Sequence, residues 1–190
     1  MRTIEQIFQE RTCSDFSDKP VDKDLLVKIY DLMKLGPTSG NCLPLRIVFV
    51  QSKTEKEKLK KCLMEGNIAK TMAAPVTAIF AYDIKFYDQM DVTNRPAPHL
   101  KSFFSSSEEV ALDTAYRNST LQAAYFMIIA RGNRLDCGPM SGFDKQAIDK
   151  EFFAGTNFKS NFICNLGYKS QENQYNRLPR LDFDQCCKII

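Results

Sequence analysis

The chain has 190 residues, a length suited to one domain with a substantial core, and 26 basic against 23 acidic residues leave a net charge of only +3. The charges interleave, as in KTEKEKLKK (53–61), instead of forming a one-sign block, which argues against nucleic acid as a partner. No apolar run approaches the roughly 18 residues of a membrane span, and the N-terminal MRTIEQIFQER lacks the apolar core of an export signal, so a cytoplasmic protein without a membrane partner is expected. Cys13, Cys42, Cys62, Cys137, Cys164, Cys186 and Cys187 contain no C-x-x-C pair and have no neighbouring histidine, which predicts reduced, mostly buried thiols and no metal site.

Along residues 22–35, Leu25, Leu26, Ile29, Leu32, Met33 and Leu35 recur at helical spacing, and Gly36 followed by Pro37 is a stop signal. LRIVFVQ (45–51), β-branched and aromatic, predicts a strand almost immediately afterwards. TEKE (54–57) supplies a capping box for an amphipathic helix to about residue 64. PVTAIFAY (75–82) predicts a buried strand, with Pro75 suited to its first position. Residues 91–105, punctuated by Pro96 and Pro98, read as irregular, with Phe103 and Phe104 exposed. A second capping box at 106–109 opens about 25 residues of helix, alanine-rich at its centre and suited to burial between subunits or through the middle of a domain. Asp144 can cap a helix to about residue 152, and SNFICNLGY (160–168) predicts a third strand. Helices and strands alternate without a regular βαβ period, so an α+β fold in a single domain spanning 1–190 is expected.

Neither a dinucleotide-binding nor a P-loop glycine pattern is present. GPTSG (36–40) and GPMSG (138–142) place serine one position away from a nucleophile elbow, and the single histidine, His99, would have to serve as the base, so a serine hydrolase is a weak reading. NST (118–120) fits a glycosylation sequon, which matters only in an exported protein.

GPTSGN (36–41), taken alone, is a helix stop followed by a loop rich in hydroxyl and backbone donors. QERTCSDF (9–16), GNIAKTMAAPV (66–76), CGPMSGFD (137–144) and NRLPRLDF (176–183) accompany it along nearly the whole chain. In this order the segments resemble the FMN-dependent nitroreductase superfamily, most closely its short malonic semialdehyde reductase-like subgroup, also called NADH dehydrogenase/NAD(P)H nitroreductase. The resemblance implies a nitroreductase-like α+β fold with a central, mostly antiparallel sheet flanked by helices, and an intertwined homodimer with FMN at the interface. It further implies NADH or NADPH as reductant and ping-pong hydride transfer through flavin N5, with no catalytic protein side chain. The acceptor implied is malonic semialdehyde, reduced to 3-hydroxypropionate. A broad nitro- or quinone reductase is the alternative, and a flavin-holding protein without turnover is the alternative outside enzymes.

Carried over residue by residue, the resemblance implies that Arg11 and Arg180, with Arg177 nearby, hold the FMN phosphate beside Thr12 and Cys13. Asn67 and Lys70 match the residues that bond the pyrimidine edge, where a lysine offsets the negative charge of the reduced ring. Pro37, Thr38, Ser39 and Asn41 match the loop that reaches the cofactor from the other subunit, and Pro139, Ser141 and Gly142 match the segment covering the ring. Where the family often carries further basic residues after Arg11, this chain has Thr12, Cys13 and Asp15. Ser141 stands where many relatives have glutamate, which removes a negative charge beside an anionic substrate. Arg46, Arg95, His99, Lys101 and Arg117 are the basic residues in segments that border such a substrate channel.

Overall fold

The computed structural model describes residues 2–170 and 176–190. Thr3 opens helix α1 (Ile4–Gln9) with a reciprocal capping box: its hydroxyl accepts from Gln6 N and its own N–H donates to Gln6 Oε1. Helix α2 (Lys23–Met33) buries Leu26, Ile29 and Met33, as its periodicity requires. It stops where Gly36 N–H turns back to Met33 O at 2.9 Å, and a side chain at 36 would overlap the Tyr125 ring. Strand β1 (Leu45–Val50) follows. Helix α3 (Lys53–Lys60) is capped by Ser52, whose hydroxyl accepts from Glu55 N at 3.2 Å, so the box expected at Thr54 is not the one used; starting at Lys53 turns Lys56 and Leu59 inward.

Helix α4 (Glu65–Ala73) leads into strand β2 (Val76–Asp83). The segment expected to be irregular contains two short helices, α5 (Met90–Thr93) and α6 (His99–Phe104). Only one of its two phenylalanines is exposed: Phe104 is buried edge-on to Phe86, while Phe103 is 57% exposed. Helix α7 (Glu108–Gly132) has Ser107 as its cap, accepting from Val110 N, one position after the box expected at Ser106. Three consecutive serines offer the same hydroxyl, so tertiary packing decides the register. Strand β3 (Asp136–Met140), helix α8 (Lys145–Phe152) capped by Asp144, strand β4 (Phe158–Gly167) and helix α9 (Phe183–Cys186) complete the described elements.

The strands form one antiparallel sheet in the order β1-β2-β4-β3, which makes β1 and β3 its edges. Alternation along β2 sends Ala78 and Phe80 to one face, against Ile29 and Met33 of α2 and Ala123, Phe126 and Ala130 of α7. Ile79 and Ala81 go to the other face, with Leu59 of α3 and Ile148 of α8. The small residues of α7 thus let it run through the middle of the fold, while Leu112, Tyr116 and Leu121 on the same helix stay exposed. Among the described residues no helix is long and apolar enough to cross a membrane. All seven cysteines are unpaired, five of them buried and Cys186 and Cys187 exposed.

Lys56 enters the interior and donates to Thr71 O at 2.8 Å and Thr77 Oγ1 at 2.6 Å. Burial pushes its pKa down from 10.5 to about 8. Between those pH values the unfolded chain binds a proton that the folded chain does not, so this group's penalty on folding is full below pH 8 and is relieved as pH rises towards 10.5. The unfolding free energy of wild type minus that of Lys56→Met is therefore expected to rise by on the order of 3 kcal/mol from pH 7 to 10.5. Urea unfolding of both proteins across that range reads it, and a difference independent of pH would contradict the assignment.

Candidate functional site

The C-terminal turn of α1 leaves carbonyls without helical partners, and arginines supply the missing donors. Arg177 donates to Phe8 O at 2.6 Å and Gln9 O at 2.7 Å, and Arg131 of α7 reaches Ile7 O and Arg11 O at 3.5 and 3.3 Å. These two join Arg11, Thr12 and Arg180 around a cleft of about 430 Å³. Arg11 donates to Asn176 O at 2.7 Å, whereas Arg180 bonds the carbonyls of its own turn, Leu178 O and Pro179 O. The one carboxylate of the cleft, Glu10, is paired with Arg2 and Lys169, so the lining is strongly positive. A planar fork of donors repeated four times suits an anion with several oxygens.

β3 joins this cleft to a second cluster. Cys13 N–H donates to Cys137 O at 2.9 Å, and a Cβ at Gly138 would overlap Cys13 O, so residues 11–13 lie directly against the start of the strand. Pro139, which has no N–H to donate, is tolerated because β3 is an edge. Past the strand's end, Asn67 Nδ2 donates to Gly142 O at 2.8 Å and Met64 N to the same carbonyl at 3.1 Å. A Cβ at 142 would overlap Asn67 Nδ2, so glycine is what permits the contact. Ser141 is exposed, and Lys70 lies half-buried in the last turn of α4.

The 37–41 loop sits elsewhere. Ser39 N–H donates to Asn118 Oδ1 at 2.9 Å, and Leu45 N–H to Gln122 Oε1 at 3.0 Å. Asn118 and Gln122 are buried and one turn apart on α7, so a single helix face holds both ends of the connection. Thr38 Oγ1 accepts from Leu43 N, Asn41 Nδ2 donates to Thr93 O, Asn94 Nδ2 donates to Gly40 O and the Tyr125 hydroxyl donates to Pro37 O. Gly40, Asn41 and Leu43 all have positive φ, at 55°, 51° and 43°. The loop enters β1 at one sheet edge and residues 141–142 leave β3 at the other; three inter-strand steps of about 4.8 Å put the edges about 14 Å apart.

Residues 7–168 match the Nitroreductase family. The chain belongs to the nitroreductase family. It is classed with the FMN-dependent NAD(P)H oxidoreductases. The nitroreductase is 48% identical over 189 residues to a provisionally named NADH dehydrogenase/NAD(P)H nitroreductase of Cupriavidus pinatubonensis, covering 98% of this chain and 96% of that protein. Its fold is shared with a nitroreductase-type protein of Exiguobacterium sibiricum solved in complex with FMN, at TM-score 0.89 and 17% identity over 100% of this chain and 98% of that one. The Bacillus subtilis nitroreductase-type protein YdfN superposes with TM-score 0.87 at 23% identity over 98% and 97%.

The expected residues of the nitroreductase thus fall into three groups. Arg11, Thr12, Arg177 and Arg180 gather in the cleft, Asn67 and Gly142 meet past β3, and Pro37, Thr38, Ser39 and Asn41 lie at the opposite edge. Cys13 is there for its backbone: its N–H is used by Cys137 O, its thiol points to Asp15 O, and burial pushes that thiol up to about 11. Arg131, Asn118 and Gln122 did not emerge from the sequence. An arginine following the apolar FMII of α7 is the one signal that could have found Arg131, and the NST sequon, which matters only in an exported protein, gave Asn118 no role; the residue is buried.

Asn118→Ala removes the acceptor of Ser39 N–H, and leaving a polar group unpaired costs about 1–3 kcal/mol. The variant is expected to lose that much stability, with Ser39 amide exchange accelerated; unchanged exchange would show that α7 does not hold the loop.

Proposed function

We propose that this nitroreductase binds FMN along β3, acts as a homodimer whose 37–41 loop completes the partner's site, and reduces malonic semialdehyde to 3-hydroxypropionate with NADH or NADPH. One arrangement supports the reading above all: an arginine cleft at the start of β3 and the Asn67–Gly142 contact just past its end. FMN has an anionic phosphate, a polyol and a flat ring, and the residues fit those parts. From Cys137 to Ser141 the backbone advances about 13 Å, which separates the charged end from the ring end.

When bound, FMN supplies the two-electron chemistry between nicotinamide and acceptor. The protein binds and orients. Arg180 can exchange the carbonyls of its own turn for phosphate oxygens at little cost, whereas Arg177 keeps the α1 carbonyls satisfied. Gly142 admits the close approach of Asn67, Lys70 offsets negative charge at the pyrimidine edge of the ring, and Ser141 adds no charge of its own. In a ping-pong cycle the oxidised nicotinamide, NAD(P)+, would leave before the acceptor enters the same space, and no protein side chain would form a bond.

The second copy is supported by exposed apolar side chains on two helices, the turn after the first of them and the C-terminal segment: Tyr30 on α2, Leu35 just past its end, Tyr116 on α7, then Leu178, Phe183 and Ile190. For the substrate carboxylate, Arg46, Lys101 and Arg117 are already paired with Asp83, Asp91 and Asp113. Arg95, bordering a recess of about 130 Å³ with one bond to Asp91 O, is the cation with the most uncommitted donors, and the exposed His99 lies nearby on α6. Exposed Phe103 favours the second reading, a broad nitro- or quinone reductase that stacks flat acceptors.

The purified protein is expected to be yellow, and Arg180→Ala to lose about ten- to a hundred-fold in FMN affinity without loss of stability, since a charge-assisted hydrogen bond contributes roughly 1.5–3 kcal/mol. Arg177→Ala is expected to lower both. Fluorescence titration and thermal melts separate the two, and wild-type affinity in Arg180→Ala would refute the phosphate assignment. For the substrate, kcat/KM on malonic semialdehyde is expected to exceed that on propanal by at least about ten-fold, and Arg95→Ala to narrow the ratio. Equal rates on the aldehydes with much faster turnover of nitroaromatics would promote the second reading, and absence of NAD(P)H turnover would leave only a flavin-holding protein.

A further inference from the structure

We propose that Lys56 is a positioning residue for the ring end of the cofactor site: by tying α4 to β2 and β4 it sets the spacing across which Asn67 meets Gly142. The inference rests on the FMN reading above. Lys56 belongs to a closed circuit of buried groups. Its ammonium donates to Thr71 O at 2.8 Å and Thr77 Oγ1 at 2.6 Å, Thr77 Oγ1 donates to Asn165 Oδ1 at 2.7 Å, and Asn165 Nδ2 donates to Thr71 Oγ1 at 3.3 Å. Thr77 and Asn165 are register partners across β2 and β4, so the circuit is anchored on the two central strands. Lys56 is 4% exposed and the other three side chains are fully enclosed.

The circuit holds the helix face that makes the site. Thr71 lies four residues after Asn67 and so on the same side of α4. Asn67 bonds Gly142 O, and Thr71 Oγ1 contacts Met140 Sδ at 3.7 Å, so this face runs along the end of β3. Lys70 is the residue immediately before Thr71. Thr71 O lies in the last turn of α4, where a carbonyl without a helical partner welcomes a cation. An apolar side chain of similar volume would fill the space at lower desolvation cost. It could not donate to α4 and β2 at once.

The test combines FMN titration with amide exchange on wild type, Lys56→Met and Thr77→Val. Lys56→Met is expected to bind FMN at least about ten-fold more weakly, because a site whose support is loosened loses its geometry. Exchange should quicken in α4 and residues 140–143 while the amides of β2 and β4 keep wild-type protection. Thr77→Val, which leaves the lysine but cuts its link to β2, is expected to lose about three-fold with the same exchange pattern, and it decides the matter if Lys56→Met does not fold. Wild-type FMN affinity in the variants, or a loss accompanied by faster exchange throughout the chain, overturns the proposal. A wild-type protein that binds no FMN overturns the cofactor reading instead, and the exchange pattern then still reports whether Lys56 fixes α4.

Discussion

Cys13 gives its N–H to Cys137 and lays its own carbonyl against Gly138, an approach that a side chain at 138 would forbid. This packing makes residues 11–13 a continuation of the β3 edge. The arginine cleft begins at one end of the strand and the Asn67–Gly142 contact lies past the other, so a strand of five residues fixes the separation of the charged cleft from the contact proposed to face the flavin ring. Arg2 and Lys169 hold the approach from outside: Arg2 pairs with Asp136 and Glu10, and Lys169 bonds Glu10 and, through its N–H, Asp136. The same pairings occupy the carboxylate of Glu10, which keeps the cleft positive.

The polar interior follows a consistent logic. Asn118 and Gln122 on α7, and the Lys56–Thr77–Asn165–Thr71 circuit under α4, place hydrogen-bonding groups inside an otherwise apolar fold. Each fixes a segment next to a proposed cofactor contact, the first pair the 37–41 loop and the second the α4 face. Leu43 pays for its position with φ of +43°, a strain of about 1–3 kcal/mol that persists only where its surroundings enforce it. Thr38 Oγ1, accepting from Leu43 N, is part of that enforcement.

Periodicity made α2 readable, a capping box and an alanine-rich run did so for α7, the Asp144 cap for α8, and β-branched or fully apolar runs for β1, β2 and β4. β3 was not readable because DCGPM carries glycine and proline, residues that count against a strand unless it is an edge, and only the tertiary order makes it one. α4 lacks a side-chain cap, and the Thr3–Gln6 box that starts α1 serves a helix of only six residues. Cap positions slipped where neighbouring hydroxyls compete, as at Ser52 against Thr54 and Ser107 against Ser106. Motif wording pointed to Arg11, Arg180, Asn67 and Gly142, but Arg131 could not be distinguished from any helix-terminal cation until α1 was packed beside α7.

The central claim is that each site takes its arginines and Asn67 from one chain and its 37–41 loop from another. Subunit complementation tests it: chains carrying Arg11→Ala with Arg180→Ala are mixed with chains carrying Ser39→Ala with Asn41→Ala, and differently tagged heterodimers are isolated and titrated with FMN. A shared site predicts that each homodimer binds weakly while the heterodimer regains one site of wild-type affinity, built from intact arginines and the other chain's intact loop. Heterodimers with no tight site would contradict the account, because each loop would then serve its own chain.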